Sequence, residues 1–264
     1  LRKNSSQILL EKIPNKPIFD VMKFIAAIFA YAWKIYFLIV VMLVILILYP
    51  IQLVLLSNEN YFPIGFKLIR FQAKAILFLI GVRKEVHGKI PNDQNTSYIL
   101  CPNHSSYLDI LLLYASLPTY FIFLGKKELG SVPVFNIYFK KMNLLVDRAN
   151  PKAAHQAIKN ACDQLNNGTN MVIFPEGTIP DSTPKMKAFK NGAFYAASET
   201  NTAIIPITFK DNYRLLEDNW GFFARTSPGK SRVYIHAPIF PKNGEVDLLT
   251  LRDETRKAIE SQLD

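Results

Sequence analysis

The chain has 264 residues, a formal net charge of +10 and a composition that is 50% hydrophobic. It is too long for a disulfide-stapled miniprotein and too apolar for a disordered chain. With 16 Pro, 11 Gly and no internal repeat it is neither collagen-like nor low-complexity. Cys101 and Cys162 form no CxxC pair, no metal spacing and no disulfide framework, so the main body is expected in a reducing compartment.

The charge is unevenly placed. Residues 1–34 carry Arg2, Lys3, Lys12, Lys16, Lys23 and Lys34 against Glu11 and Asp20, a net +4. Residues 57–90 carry another net +4, residues 35–56 carry no charge, and the remainder of the chain adds only +2. A basic surplus that brackets one segment argues for a lipid surface and against a nucleic-acid partner.

The bracketed segment is Ile35–Leu56, IYFLIVVMLVILILYPIQLVLL. As a helix its 22 residues span about 33 Å, against about 30 Å for a bilayer's hydrocarbon core. A second apolar piece, Phe24–Trp33, precedes it across Lys34. Pro50 costs a helix interior about 3 kcal/mol or kinks it. Equal basic flanks give no orientation. They fit a re-entrant or monotopic helix pair with both ends on the cytoplasmic face, with a true span as the alternative. Phe66–Val82 reads as a basic amphipathic helix, with Lys67, Arg70 and Lys74 on one face. It lies either in the interface plane or packed on the catalytic body.

From His87 onward, strands alternate with helices. Strands are expected at Ser97–Pro102, Thr119–Leu124, Leu144–Val146, Asn170–Phe174, Ala203–Phe209 and Val233–Ala237. Turn residues Pro91, Asn92, Asp93 and Asn95 precede the first. Helices are expected at Tyr107–Leu117, at Pro151–Asn166, within Ala188–Thr200 ending near Asn201, and from Asp247. The alternation predicts an α/β domain with a mixed, largely parallel central sheet flanked by helices. The expected division is a membrane-anchoring helical region, 1–85, and a catalytic α/β domain, 86–264.

One segment draws attention as chemistry. Asn103-His104-Ser105-Ser106-Tyr107-Leu108-Asp109 follows a strand and opens a helix. On one ideal helix, residues five apart lie about 140° apart. His104 and Asp109 therefore meet only if His104 sits on the loop and Asp109 in the first turns, with Ser105 or Ser106 as N-cap. Asp109 then fixes one imidazole nitrogen and leaves the other as a base. Alternatively, Ser106 and Asp109 form a capping box with a purely structural role. No G-x-S-x-G elbow or Walker lysine motif is present, so the pair has no enzyme nucleophile to activate. Such a dyad suits a substrate hydroxyl attacking an activated acyl donor. Three more blocks follow strands: Gly125-Lys126-Lys127-Glu128-Leu129; Asp147-Arg148, whose guanidinium can grip a phosphate; and Phe174-Pro175-Glu176-Gly177-Thr178.

Together NHSSYLD (103–109), GKKEL with VDR (125–129, 146–148), FPEGT with FKNGAF (174–178, 189–194) and AIIPITF (203–209) resemble the glycerolipid acyltransferases with the His-x-x-x-x-Asp motif, above all the 1-acyl-glycerol-3-phosphate acyltransferases. The resemblance implies acyl transfer from acyl-CoA or acyl carrier protein to the sn-2 hydroxyl of a lysophospholipid, giving phosphatidic acid. It implies His104 as general base and Asp109 as its orienting partner. Arg148, Lys126, Lys127 and Lys190 become phosphate ligands, and Glu176, Gly177 and Thr178 line the acceptor site. Neither metal nor other cofactor is implied. The oxyanion donors are expected among backbone N–H groups at the start of the Ser105/Ser106 helix. A hydrophobic groove should run from His104 toward the membrane. The expected location is the cytoplasmic membrane, with the catalytic domain on the cytosolic side. One departure is noted: Ile179-Pro180 stands where the family often has Arg-Ser. It leaves open another acceptor, such as a lyso-ornithine lipid. A non-catalytic lipid-binding protein is the reading from a different class.

Overall fold

The computed structural model describes residues 16–91, 96–219, 221, 223–241 and 248–263, with side chains from residue 20 onward. Arg2, Lys3 and Lys12 of the first basic flank, the turn residues Asn92, Asp93 and Asn95, and the expected helix start at Asp247 lie outside these residues.

The chain begins with two helices, α1 (Lys16–Leu55) and α2 (Phe62–Leu79), joined through a 3-10 turn at Glu59–Tyr61. Then follow β1 (Val82–His87), β2 (Ile99–Pro102), α3 (Leu108–Ser116), β3 (Phe121–Lys126), α4 (Asn136–Met142), β4 (Leu144–Val146), α5 (Pro151–Asn166) and β5 (Asn170–Val172). The chain continues as α6 (Gly192–Thr200), β6 (Ile204–Phe209), the short α7 (Asn212–Leu215), β7 (Gly229–Ile235) and α8 (Leu248–Glu260).

The seven strands form one sheet in the order β1-β7-β6-β2-β5-β3-β4. Every neighbouring pair is parallel except β6 with β7. The largely parallel sheet is therefore as expected. Its central strands β2 and β6 are buried along their whole length, as strands covered on both faces must be. One face packs against α1, α2 and α3, through residues such as Ile76, Leu112, Phe121 and Ile207. The other packs against α5, α6 and α8, through Ala161, Phe194 and Ile259.

Local sequence explains several ends. Asn150 caps α5 by accepting the N–H groups of Lys152 and Ala153, and Pro151 occupies the first turn. Asn201 ends α6 in a left-handed conformation, φ 49°. The helix expected to run to Val82 ends at Leu79, and Val82 opens strand β1. The division expected after residue 85 lies inside this strand, which pairs with β7 along its length.

The apolar N-terminal region is one helix of 40 residues, not two pieces broken at Lys34. It runs on through Pro50, which is exposed and removes one helix hydrogen bond. Its stretch Asp20–Leu55 is long and apolar enough to cross a membrane. One stripe of it packs on the body, through Phe37 and Val40 with Val44 and Tyr49 beside them. The opposite stripe exposes large apolar side chains, including Phe29, Ile39, Leu43 and Ile47. Lys34 is buried, and its Nζ donates to the carbonyls of Glu217 and Asn219. A charge read as a break is thus taken up by a distant loop.

Of the two readings of α2, packing on the body is the one seen. Phe66 sits among Tyr114, Tyr120 and Phe121, and Arg70 donates to the Tyr114 carbonyl at 3.2 Å. Lys67, Phe71, Lys74 and Phe78 are exposed on its other face. Between α1, α2, α3 and α4 lies an apolar cavity of about 100 Å³, bordered by Ile45, Ala73, Ile76, Leu111 and Phe123. A buried polar clasp ties three of these helices. Gln52 of α1 donates to Gln72 of α2 at 2.6 Å, and the Tyr138 hydroxyl of α4 donates to Gln52.

Candidate active site

The candidate residues follow the carboxyl ends of parallel strands, where open α/β sheets gather ligand groups. His104 follows β2, Lys126 ends β3, Arg148 follows β4 and Glu176 follows β5. Asn103 pins the end of β2 to β6 by exchanging two bonds with the Phe209 backbone, at 2.7 and 3.2 Å. The turn that starts beside it carries His104 off the sheet, ahead of the helix that carries Asp109.

His104 Nδ1 lies 2.9 Å from Asp109 Oδ2. The same oxygen accepts the backbone N–H groups of Ser105 at 2.7 Å and Ser106 at 3.0 Å. The other oxygen accepts Asn212 Nδ2 at 2.6 Å and, more weakly, Ser105 Oγ at 3.4 Å. Asp109 is fully buried, and each of these partners supplies a donor. Such a set of donors matches a group that accepts at both oxygens. The imidazole proton then belongs on Nδ1 and the lone pair on Nε2, an assignment that follows from the hydrogen-bond network. No partner of Nε2 lies among the described residues. One carboxylate thus faces both the helix start, through the Ser106 N–H, and the imidazole; only that half of a capping box is formed, because Ser106 Oγ accepts the Leu108 N–H and not that of Asp109. The expected serine N-cap is shifted: Tyr107 precedes the helix without a side-chain cap, while Ser106 Oγ accepts Leu108 N–H and donates to the Leu216 carbonyl. Of the backbone N–H groups at this helix start, those of Ser105 and Ser106 are taken by Asp109 and that of Leu108 by Ser106 Oγ.

Glu176 is also turned inward. Its two oxygens accept the backbone N–H groups of His104 at 2.9 Å and Lys187 at 2.7 Å. Burial pushes its carboxyl above the ordinary range, against the pull of those two bonds. In this position it fixes two loops.

Phe174 joins the parts. Its ring stacks on His104 with centroids 4.1 Å apart, and lies parallel to Phe123, which borders the apolar cavity. Phe174 also borders a second cavity of about 220 Å³, together with Arg148, Gly177 and Lys190. Arg148 donates to the Gly177 carbonyl. Gly177 has φ +75°, a conformation that favours glycine, and a Cβ there would lie 3.0 Å from the tip of Lys190, which would have to shift.

The structure thus brings His104, Asp109, Glu176, Gly177, Arg148 and Lys190 into one region. Lys126, Lys127 and Thr178 do not border the second cavity. Lys126 pairs with Glu128 at 3.5 Å and Lys127 with the half-buried Asp147 at 3.2 Å, both lysines being exposed. Ile179, the departure from the resembled pattern, is buried. Sequence reasoning missed Asn212, Ser231 and the joining role of Phe174. Phe174 carried a signal, being part of the FPEGT block; Asn212 and Ser231 carried none.

Residues 83–210 match the family model described as Acyltransferase. The chain is 29% identical over 171 residues to a chloroplastic 1-acyl-sn-glycerol-3-phosphate acyltransferase of Arabidopsis thaliana, covering 64% of this chain and 46% of the relative. It is 30% identical over 138 residues to the 1-acyl-sn-glycerol-3-phosphate acyltransferase of Helicobacter pylori, covering 52% and 57%. It is 28% identical over 174 residues to that of Borreliella burgdorferi, covering 66% and 67%. The matched region spans about half the length of the plant relatives. The crystal structure of the 1-acyl-sn-glycerophosphate acyltransferase PlsC from Thermotoga maritima superposes with a TM-score of 0.74 at 24% identity, covering 89% of this chain and 95% of that one. That likeness shows the fold. Over residues 83–210 the chain carries the match to the Acyltransferase family model, and the relatives it resembles are named 1-acyl-sn-glycerol-3-phosphate acyltransferases.

Proposed function

We propose that this protein transfers a fatty acyl group from a thioester of coenzyme A or acyl carrier protein to the sn-2 hydroxyl of 1-acyl-glycerol-3-phosphate, giving phosphatidic acid. The observation that carries the reading is the His104–Asp109 pair, whose Nε2 is left for a substrate. Nε2 takes the proton of the sn-2 hydroxyl as its oxygen bonds to the thioester carbonyl carbon. The carbon–sulfur bond then breaks, and the departing thiolate takes the proton back from Nε2. The thioester is already activated and the thiol leaves well, so no acyl-enzyme is required.

The surroundings support the assignment of parts. Arg148 and Lys190 place two cations at the second cavity, suited to the acceptor's phosphate. The apolar cavity beside Phe123 suits an acyl chain, and the Phe174 ring stands between it and the imidazole. Lys126, Lys127 and Thr178 remain outer ligands, met as the headgroup approaches. The exposed apolar face of α1, with Phe71, Phe78, Lys67 and Lys74 of α2, supports residence at the cytosolic face of the cytoplasmic membrane. There both acyl chains reach the site without leaving lipid.

The test is product analysis. Purified protein in lipid vesicles is given 1-acyl-glycerol-3-phosphate with acyl-CoA or acyl carrier protein. Phosphatidic acid is expected. No product with either donor contradicts the reading. The buried Ile179 favours one rival, a lysolipid without a phosphate monoester such as a lyso-ornithine lipid. Faster turnover of that acceptor in competition would establish it.

A further inference from the structure

The residues that finish the candidate site lie beyond the stretch matched by the family, which ends at residue 210. Asn212 Nδ2 donates to Asp109 Oδ1 at 2.6 Å, and the Ser231 hydroxyl donates to Asn212 Oδ1 at 2.6 Å. Asn212, Ser231 and Asp109 are all fully buried. We propose that Ser231 and Asn212 form a positioning relay that holds the Asp109 carboxylate in the one rotation that keeps His104 Nδ1 protonated and Nε2 basic. The proposal rests on the acyl-transfer reading and deepens it.

The direction of each bond forces the arrangement. An amide has one accepting and one donating end. Ser231 occupies the accepting end, so the NH2 end faces Asp109. A carboxylate oxygen accepts, so donor and acceptor match at this contact. The partners are shared unequally. Oδ2 holds three donors, whereas Oδ1 has only Asn212 as a close one, with Ser105 Oγ at 3.4 Å. Without Asn212, a buried carboxylate oxygen is nearly orphaned, and the group gains by turning toward any other donor. The relay is itself braced. Asp211, next in sequence to Asn212, accepts the backbone N–H and the Nε of Arg232, next to Ser231, at 3.0 and 2.8 Å. Two adjacent residue pairs thus lock the short α7 onto β7, at the edge of the site.

The experiment compares wild type, Asn212→Ala and Ser231→Ala as full chains in detergent micelles or vesicles. Steady-state kinetics use 1-acyl-glycerol-3-phosphate and acyl-CoA, and nitrogen-15 NMR reads the His104 ring. In wild type the Nδ1–H proton should appear far downfield, as a hydrogen-bonded imidazole proton. In Asn212→Ala, kcat should fall about 10-fold or more, the size expected when a hydrogen bond to a buried charge is lost, with both KM values near wild type. The Nδ1–H resonance should move upfield and broaden. Ser231→Ala should move both readouts the same way by less, and it keeps the proposal testable if Asn212→Ala does not fold. A folded Asn212→Ala with unchanged kcat and resonance overturns the relay. So does a fall in kcat with the resonance unmoved. Wild-type protein that turns over no lysolipid contradicts the reaction, while the resonance comparison still decides the relay.

Discussion

The Glu176 carboxylate accepts the backbone N–H of His104 at 2.9 Å, so the side chain that opens the FPEGT turn holds the loop that carries the imidazole. This explains why two blocks far apart in sequence meet. It also makes a pH-dependent stability term. Burial raises the Glu176 carboxyl above its ordinary 4.5, so the fold favours its protonated form. Such a group contributes stability at low pH and loses it as pH rises through its folded value. Glu176→Gln does not titrate. The stability of wild type relative to Glu176→Gln should therefore fall as pH climbs from about 4.5 upward, by about 1.4 kcal/mol for each unit of the rise in pKa. Denaturant unfolding of both proteins across that range measures it, and a difference that grows with pH contradicts it.

Arg148 and Lys190 are assigned to the phosphate of the acceptor. Arg148→Ala and Lys190→Ala should each raise KM for 1-acyl-glycerol-3-phosphate by about 10-fold or more, the scale of one charged hydrogen bond. The KM for the thioester should stay near wild type. Kinetics with each substrate varied in turn separates the two, and an equal rise in both would remove the assignment.

The apolar cavity is assigned to an acyl chain. Ala73 borders it and is almost fully buried. A larger side chain there takes space from the chain, at a packing cost of about 1–3 kcal/mol. Ala73→Phe should therefore shift turnover toward shorter acyl thioesters. A series of donors of graded length checks this, and an unchanged optimum would place the chain elsewhere.

The two faces of α1 should respond in opposite ways. Ile47 is exposed on the apolar face and Val40 is buried against the body. Ile47→Asp should weaken binding to lipid vesicles by about 10-fold or more, since burying one such side chain is worth about 1.5–3 kcal/mol. Its thermal stability in detergent should change little. Val40→Asp should destabilise the fold itself. Vesicle flotation together with thermal unfolding distinguishes them, and undiminished flotation of Ile47→Asp would move the lipid contact off this face.

What the sequence made legible was local. The strand-helix alternation, the limits of α5 and the stop at Asn201 all rest on short-range signals: Asn150 and Pro151 at one end, a left-handed asparagine at another. The meeting of His104 with Asp109 followed from helix geometry. The rest depended on distant partners. In β1, VRKEVH, only Val82 is buried, so the strand shows no apolar alternation to read. Lys34 looked like a break because nothing nearby satisfies it; the carbonyls of Glu217 and Asn219 do. Asn212 reaches Asp109 across more than a hundred residues, and no local pattern marks it. The inward turn of Glu176 was hidden in the same way, since its partners are main-chain groups of two separate loops.

The central claim is that the unprotonated Nε2 of His104 removes the proton from the attacking alcohol. The direct measurement is kcat for phosphatidic acid formation by wild type and His104→Ala, in the same vesicles and with acceptor binding measured alongside. General-base catalysis is worth about 10²- to 10⁴-fold, so the variant should lose at least that much kcat while still binding the lysolipid. Turnover by His104→Ala at the wild-type rate would contradict the account.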